Sequence, residues 1–181
     1  MGGMEGNGLG MSSTMSPIRR LLSRLPSRPV FDGIVNSFFS ERGWQFGIPE
    51  RWFRSACQQM WDHLAMRCVP GCRSQGDCPA CGEAINPHWL TFVFAVLALA
   101  PSSPSSPKDS GRYFMCSISA RRFVEDVLLI TPVYSTSEGS VNGSVLSCYS
   151  SVLHSMYLVD RGRISEAWKV IGKFVPPHHS R

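Results

Sequence analysis

Four of the seven cysteines, Cys68, Cys72, Cys78 and Cys81, fall within the fourteen-residue stretch CVPGCRSQGDCPAC. Thiolates are the preferred ligands of structural zinc, and four of them complete a tetrahedral site. The spacing here is C-x3-C-x5-C-x2-C. Zinc ribbons and fingers hold about 12–20 residues between ligand pairs, enough chain to wrap the metal. Five residues between Cys72 and Cys78 is tight, although Pro70, Gly71, Gly76 and Pro79 help the backbone turn. His63 and His88 flank the group as replacement ligands. The spacing favours an irregular inter-helix loop with free thiols over a zinc site, and no cofactor is expected. Cys78-Pro-Ala-Cys81 also has the redox C-x-x-C form, which needs a βαβ setting that the helical surroundings do not supply.

Other chemistry-bearing patterns are weaker. The chain has no Gly-rich phosphate loop ending in Lys-Ser/Thr and no G-x-S-x-G elbow. Glu125 and Asp126 are adjacent on a helix, so their carboxylates diverge instead of converging on a substrate. His154 sits among Val152, Leu153 and Met156, as a histidine at the edge of a core would. His178 and His179 belong to a terminal tail, a poor place for a preorganised site. Trp44, Trp52, Trp61, Trp89 and Trp168 are expected to pack and not to stack on bases. No catalytic residue is assigned, and an enzyme is not expected.

The elements around these residues repeat with a helical period. Val30, Phe31, Ile34, Val35, Phe38 and Phe39 form one apolar stripe. Pro49 suits a first helical turn, after which Phe53, Ala56, Met60 and Leu64 share a face. Asn86-Pro87 is a helix start, and the segment it opens, His88 to Ala100, is apolar nearly all round and therefore central. After the low-complexity connector PSSPSSPKDS, Ser110 is expected to cap a helix bearing Tyr113, Phe114, Phe123, Val124, Val127 and Leu128, closed by Thr131-Pro132. Val145, Leu146, Tyr149, Val152, Leu153, Met156 and Tyr157 make a further stripe. The loop Asp160-Arg161-Gly162-Arg163 then leads to a last helix with Ala167, Trp168, Ile171 and Phe174, stopped by Pro176-Pro177. The expected fold is all-α, about six helices in an irregular array ending in an antiparallel hairpin. Val133-Tyr134 is too short to count as a strand.

The domain expectation is a disordered basic linker over 1–29, a helical domain over 30–175 and a tail over 176–181. Net charge is +5, but Arg19, Arg20, Arg24 and Arg28 stand against Glu5 alone in the linker, and the remainder is nearly balanced. No broad basic face for a nucleic-acid backbone is implied. Charged residues make up 17% of the chain, below the roughly 25% usual in soluble domains, which suggests surface that expects a partner. Odd cysteine number and an opening without an apolar signal segment point to a reducing compartment. The longest apolar run, Trp89 to Ala100, is twelve residues, short of the roughly 20 that span a membrane.

Certain pieces then occur in a telling order: Phe38-Phe39, WQFGIPERWF (44–53), PHWLTFVFAVLALA (87–100), RYFMCSISARRF (112–123) and SCYSSVLHSMYLVDRGRISEAWKVIGKF (147–174). Together they resemble the fungal-specific transcription factor domain, the helical regulatory region of zinc binuclear cluster activators. The last two pieces are the most specific, and the resemblance spans about residues 28–174. It implies a non-catalytic, nuclear domain that regulates transcription through protein partners or self-association. That family's DNA-binding cluster has six cysteines and lies before the domain, and residues 1–29 hold no cysteine, so DNA contact by this chain is not expected. The family continues beyond the AW…G hairpin, so a partial domain is expected here, with faces such as Trp168 and Phe174 poorly covered. Two other readings stay open: a tetratricopeptide-like adaptor built on the 147–174 hairpin, although no 34-residue repeat accompanies it, and a structural zinc protein. The acid-poor, Arg- and Ser-rich head leaves a mitochondrial presequence as the alternative to nuclear localisation.

Overall fold

The computed structural model describes residues 16–65, 85–101, 107–130 and 139–172. Seven α-helices and no strand occur among the described residues, so the all-α expectation holds. In chain order they are α1 (Pro17–Leu22), α2 (Arg28–Glu41), α3 (Glu50–Ala65), α4 (Pro87–Leu99), α5 (Pro107–Ile130), α6 (Gly139–Val159) and α7 (Ile164–Gly172). A single 3-10 turn, Gly43–Gln45, lies between α2 and α3.

α4 is the axis of the fold. The Asn86 side-chain oxygen accepts the His88 amide at 2.8 Å, and Pro87 occupies a first-turn position whose amide would have had no partner. Every residue from Trp89 to Leu99 is buried, as an apolar circumference requires. α5, α6 and α2 pack on it, α7 packs on α6 and α1 on α5. α3 joins through its rings. Phe53 stands 5.4 Å from Trp89 and 5.5 Å from Phe92, and Phe39 of α2 stands 5.4 Å from Phe53. From Phe92 the contact continues to Tyr149 of α6 at 5.7 Å. Offset and edge-on ring pairs add about 0.5–1.5 kcal/mol each beyond the area they bury. This relay ties α2, α3, α4 and α6 into one core.

Two expectations are corrected. Residues 17–22, assigned to the disordered linker, form α1 and bury Ile18 and Leu21. Six residues make no stable helix alone, so it is the packing of these two side chains, three positions apart, that holds the turn. This turn is also the helix beyond the six expected. Ser110 is not a cap: α5 already begins at Pro107, and the Ser110 hydroxyl lies within that helix, donating to the Ala98 carbonyl at 2.6 Å. It thereby satisfies a carbonyl in the last turn of α4, one of the four left without an intrahelical partner.

The expected hairpin is present. Gly162 has a φ of 72°, its amide donates to the Val159 carbonyl at 2.9 Å, and the Arg163 amide donates to Leu158 at 2.9 Å. These two bonds and the left-handed glycine make a Schellman motif, which ends α6 and starts the return. Above the turn, the Arg161 guanidinium lies 3.8 Å over the Tyr157 ring, which itself stacks on Phe114 at 4.0 Å. Arg42, the residue that caps the end of α2, pairs with Asp160 in the loop.

Candidate functional site

Cys68, Cys72, Cys78 and Cys81 lie outside the described residues, as do Val133-Tyr134, Phe174, His178 and His179. Of the two flanking histidines, His88 is held against α6. Its Nδ1 is 2.9 Å from the Ser147 hydroxyl, and a Cβ at Gly143 would press tightly on the ring at 3.1 Å. His63 lines a cleft of about 290 Å3 with Met60, Ile85, Asn86 and Trp89. Among the described residues no three His, Cys, Asp or Glu side chains are gathered to hold a metal. Cys57 and Cys116 are buried thiols, and burial pushes Cys57 up to about 12, so it is inert near neutral pH. Cys148 is exposed.

Glu125 pairs with Arg121 at 2.9 Å and is exposed, as is Asp126, so the two form no shared acid–base centre. The five tryptophans divide. Trp89 is buried and Trp61 half-buried, each with its indole N–H unpartnered among the described residues. Trp52 is partly exposed but packs on Trp89 at 5.9 Å. Trp44 and Trp168 are exposed, which corrects the expectation that they pack.

His154 is wholly buried, deeper than the core edge expected of it. The Ser117 hydroxyl donates to the Thr91 carbonyl at 2.5 Å and lies 2.6 Å from His154 Nε2. A hydroxyl has one proton, and Ser117 gives it to Thr91, so the imidazole carries its proton on Nε2 and donates to Ser117. Nδ1 is then a bare acceptor without a partner among the described residues. Burial, with the nearby Arg121 charge second, pushes the imidazole down from 6.5 to about 4, so it is neutral at pH 7. Phe114 covers the ring edge-on at 5.6 Å. A serine and a neutral histidine at hydrogen-bond distance would suit a nucleophile and base, but here the serine proton points at a backbone carbonyl and both residues are sealed from solvent. The pair is a structural contact.

It belongs to a seam. His88–Ser147, Thr91–Ser117–His154 and Ala98–Ser110 mark three levels along α4, and Arg161 adds a 3.1 Å bond to the Ser110 hydroxyl. Apolar contact around α4 tolerates rotation and sliding, whereas these polar contacts are satisfied together in one register only. The sequence shows these serines but not their partners, which are carbonyls and rings on other helices.

The outer side of the hairpin differs. Val145, Val152 and Val159 recur every seven residues on α6, and Ile164, Trp168 and Ile171 follow on α7, all between 42% and 68% exposed. α6 contains no Asp, Glu, Lys or Arg, so no charge interrupts its stripe. Ala167, neighbour of Trp168, is the α7 residue that buries against α6, with its carbonyl 3.4 Å from the Ser155 hydroxyl. The last helix thus turns its small residue inward and its largest outward. These six exposed apolar side chains all lie on the two helices of the hairpin. No described helix is long and apolar enough to cross a membrane. No family model matches the chain, and neither a curated protein nor a solved structure matches it.

Proposed function

We propose that this chain is the non-catalytic helical regulatory region of a fungal-type transcription factor, acting in the nucleus through protein contacts made by the outer face of the α6–α7 hairpin. The observation that carries the reading is that face: six exposed apolar side chains on two helices, in the part of the chain whose motif order is most specific. Its support from the resemblance is that the shared pieces fall on packing elements. Phe38 and Phe39 sit in α2, PHWLTFVFAVLALA makes α4 and its cap, and RYFMCSISARRF lies in α5. DNA would be reached through a zinc cluster carried elsewhere, and partners would come from the transcription machinery or from a second copy.

The test joins the chain to a heterologous DNA-binding module and measures reporter output in cells. Recruitment should alter output, and Trp168→Ser with Ile164→Ser should abolish the change while the fold, followed by circular dichroism, stays intact. Tight, sequence-specific duplex binding by the chain alone, or reporter output indifferent to the fusion, would sink the proposal.

A further inference from the structure

A second surface, remote from the hairpin's outer face in the chain, has the opposite character. Where α1 leans on α5 there is an open surface cavity of about 440 Å3, comparable in volume with small-molecule sites but less enclosed than they are. Arg20 and Arg24 line it from the α1 side and Arg112 from α5, with Leu21, Met115 and Cys116 as apolar neighbours in the lining. No carboxylate lines the cavity, and no ion pair to Arg20, Arg24 or Arg112 occurs among the described residues. Arg112 is already positioned: its guanidinium donates to the Arg24 carbonyl at 3.2 Å, which ties the turn after α1 to α5. Burial raises the Cys116 thiol, and the Arg112 and Arg24 charges oppose that rise. Leu21 and Cys116 are buried and Met115 is exposed at the rim.

Three exposed guanidiniums around one concavity concentrate positive charge and so favour an anion there, and planar forks match carboxylate and phosphate oxygens in pairs. The apolar lining asks for something more than a bare ion. We infer that this α1–α5 cavity binds a small organic anion, a carboxylate or phosphate head on an apolar body. The head meets Arg20, Arg24 and Arg112, and the body lies along Leu21 and Met115. The site also gives α1 a use, since this six-residue helix, held by Ile18 and Leu21, brings Arg20 to the cavity and the turn that follows it brings Arg24. The inference is independent of the transcriptional reading.

Calorimetric titration of the full chain tests it, with octanoate and phenyl phosphate as probes and octanol and inorganic phosphate as tail-only and head-only controls. Both amphipathic anions should bind saturably at about 1 mM or tighter, and each more strongly than its control. Octyl phosphate, compared with nonanoate of the same eight-carbon tail, then identifies the head as carboxylate or phosphate. Arg20→Gln and Arg24→Gln are exposed changes that keep the fold, verified by thermal melting, and each should weaken binding about tenfold. Arg24→Lys should recover part of that loss, and Arg163→Gln, on the hairpin, should leave binding unchanged. Absence of saturable binding, octanol binding as well as octanoate, or binding indifferent to both Arg20 and Arg24 would each overturn the inference.

Discussion

The two faces of α6 invert the usual arrangement of a surface helix. Its inner face buries Ser150, Ser151, His154 and Ser155 beside Leu146, Leu153, Tyr157 and Leu158, while its outer face shows Val145, Val152 and Val159 to solvent. The buried serines are tolerated because each closes on its own helix. Ser150 donates to the Leu146 carbonyl at 2.7 Å, Ser151 to Ser147 at 2.8 Å and Ser155 to Ser151 at 2.9 Å. Being small, they also let α6 come close to its neighbours, as Gly143 does against His88. The inner face is therefore built for close approach and defined register, and the outer face leaves apolar side chains in solvent. Hydrophobicity alone would not have separated them, since both faces carry apolar side chains.

The sharpest way to break this comparison uses two adjacent residues. Leu153 is buried and Val152 is 51% exposed. Leu153→Ala should cost about 3 kcal/mol of unfolding free energy, from lost transfer and the cavity left behind. Val152→Ala should stay within about 0.5 kcal/mol, since it removes no packed contact and improves helix propensity. Urea denaturation of the two variants decides it, and equal losses would mean that Val152 is covered in solution.

Acid should separate the faces nearly as strongly, because only the inner one titrates a buried group. The imidazole of His154 is pushed from 6.5 down to about 4 in the folded state, so the unfolded chain takes up its proton first as pH falls. Its contribution is complete above about pH 6.5 and is lost between there and about pH 4, reaching about 3 kcal/mol at the lower end. Burial lowers His88 as well, which adds loss of the same sign. A series of urea midpoints across this range should slope downward toward acid. His154→Gln should remove most of the slope while costing stability at pH 7, and an unchanged slope would show that another group carries it.

How much of this arrangement could be seen in the sequence depends on whether the deciding partner is local. The start of α4 was legible because Asn86 and Pro87 act within one turn of themselves. The hairpin was legible because Asp160-Arg161-Gly162-Arg163 contains the glycine that the left-handed position needs. The stripe on α6 was legible only as a stripe. Val145, Leu146, Tyr149, Val152, Leu153, Met156 and Tyr157 wrap most of the circumference, and no charged residue marks the solvent side. Which of them face inward is set by α4 and α5, far away in sequence. α1 was missed for the same reason, since it exists only against α5, and with it went two of the three arginines of the α1–α5 cavity. The last helix was legible as a run holding Ala167, Trp168 and Ile171, but not that Ala167 is buried while Trp168 is exposed, because α6 decides which side of α7 is covered.

A smaller effect distinguishes the seam from the serines that merely bond to their own helix. Ser117 serves two partners on other helices, the Thr91 carbonyl and His154. Ser117→Ala should leave the imidazole N–H unpaired in the core and cost about 1–3 kcal/mol. Ser150→Ala loses only a bond to Leu146 within the helix and gains propensity, so it should be neutral or slightly stabilising. If both cost the same, α6 gains nothing in register from α5 and the seam is ordinary packing.

The outer face is predicted to change stability least and association most. Val145→Ser, Val152→Ser and Val159→Ser together remove three exposed side chains, so the unfolding free energy should move by no more than the propensity difference, about 0.5 kcal/mol or less per site. What should change is behaviour that depends on concentration. If the uncharged apolar stripe is a contact surface, association should take that area out of water at about 25 cal/mol per Å2. Light scattering across a dilution series should show the parent chain gaining mass with concentration more steeply than the triple variant. Adding Trp168→Ser should flatten the remaining rise, because that indole is the largest exposed side chain of the hairpin. If the parent is monodisperse and monomeric throughout, self-association is excluded and the face is left to a different protein. The reporter assay with the same variants then becomes the deciding measurement, since a face built for a partner should lose output in cells without losing stability in the tube.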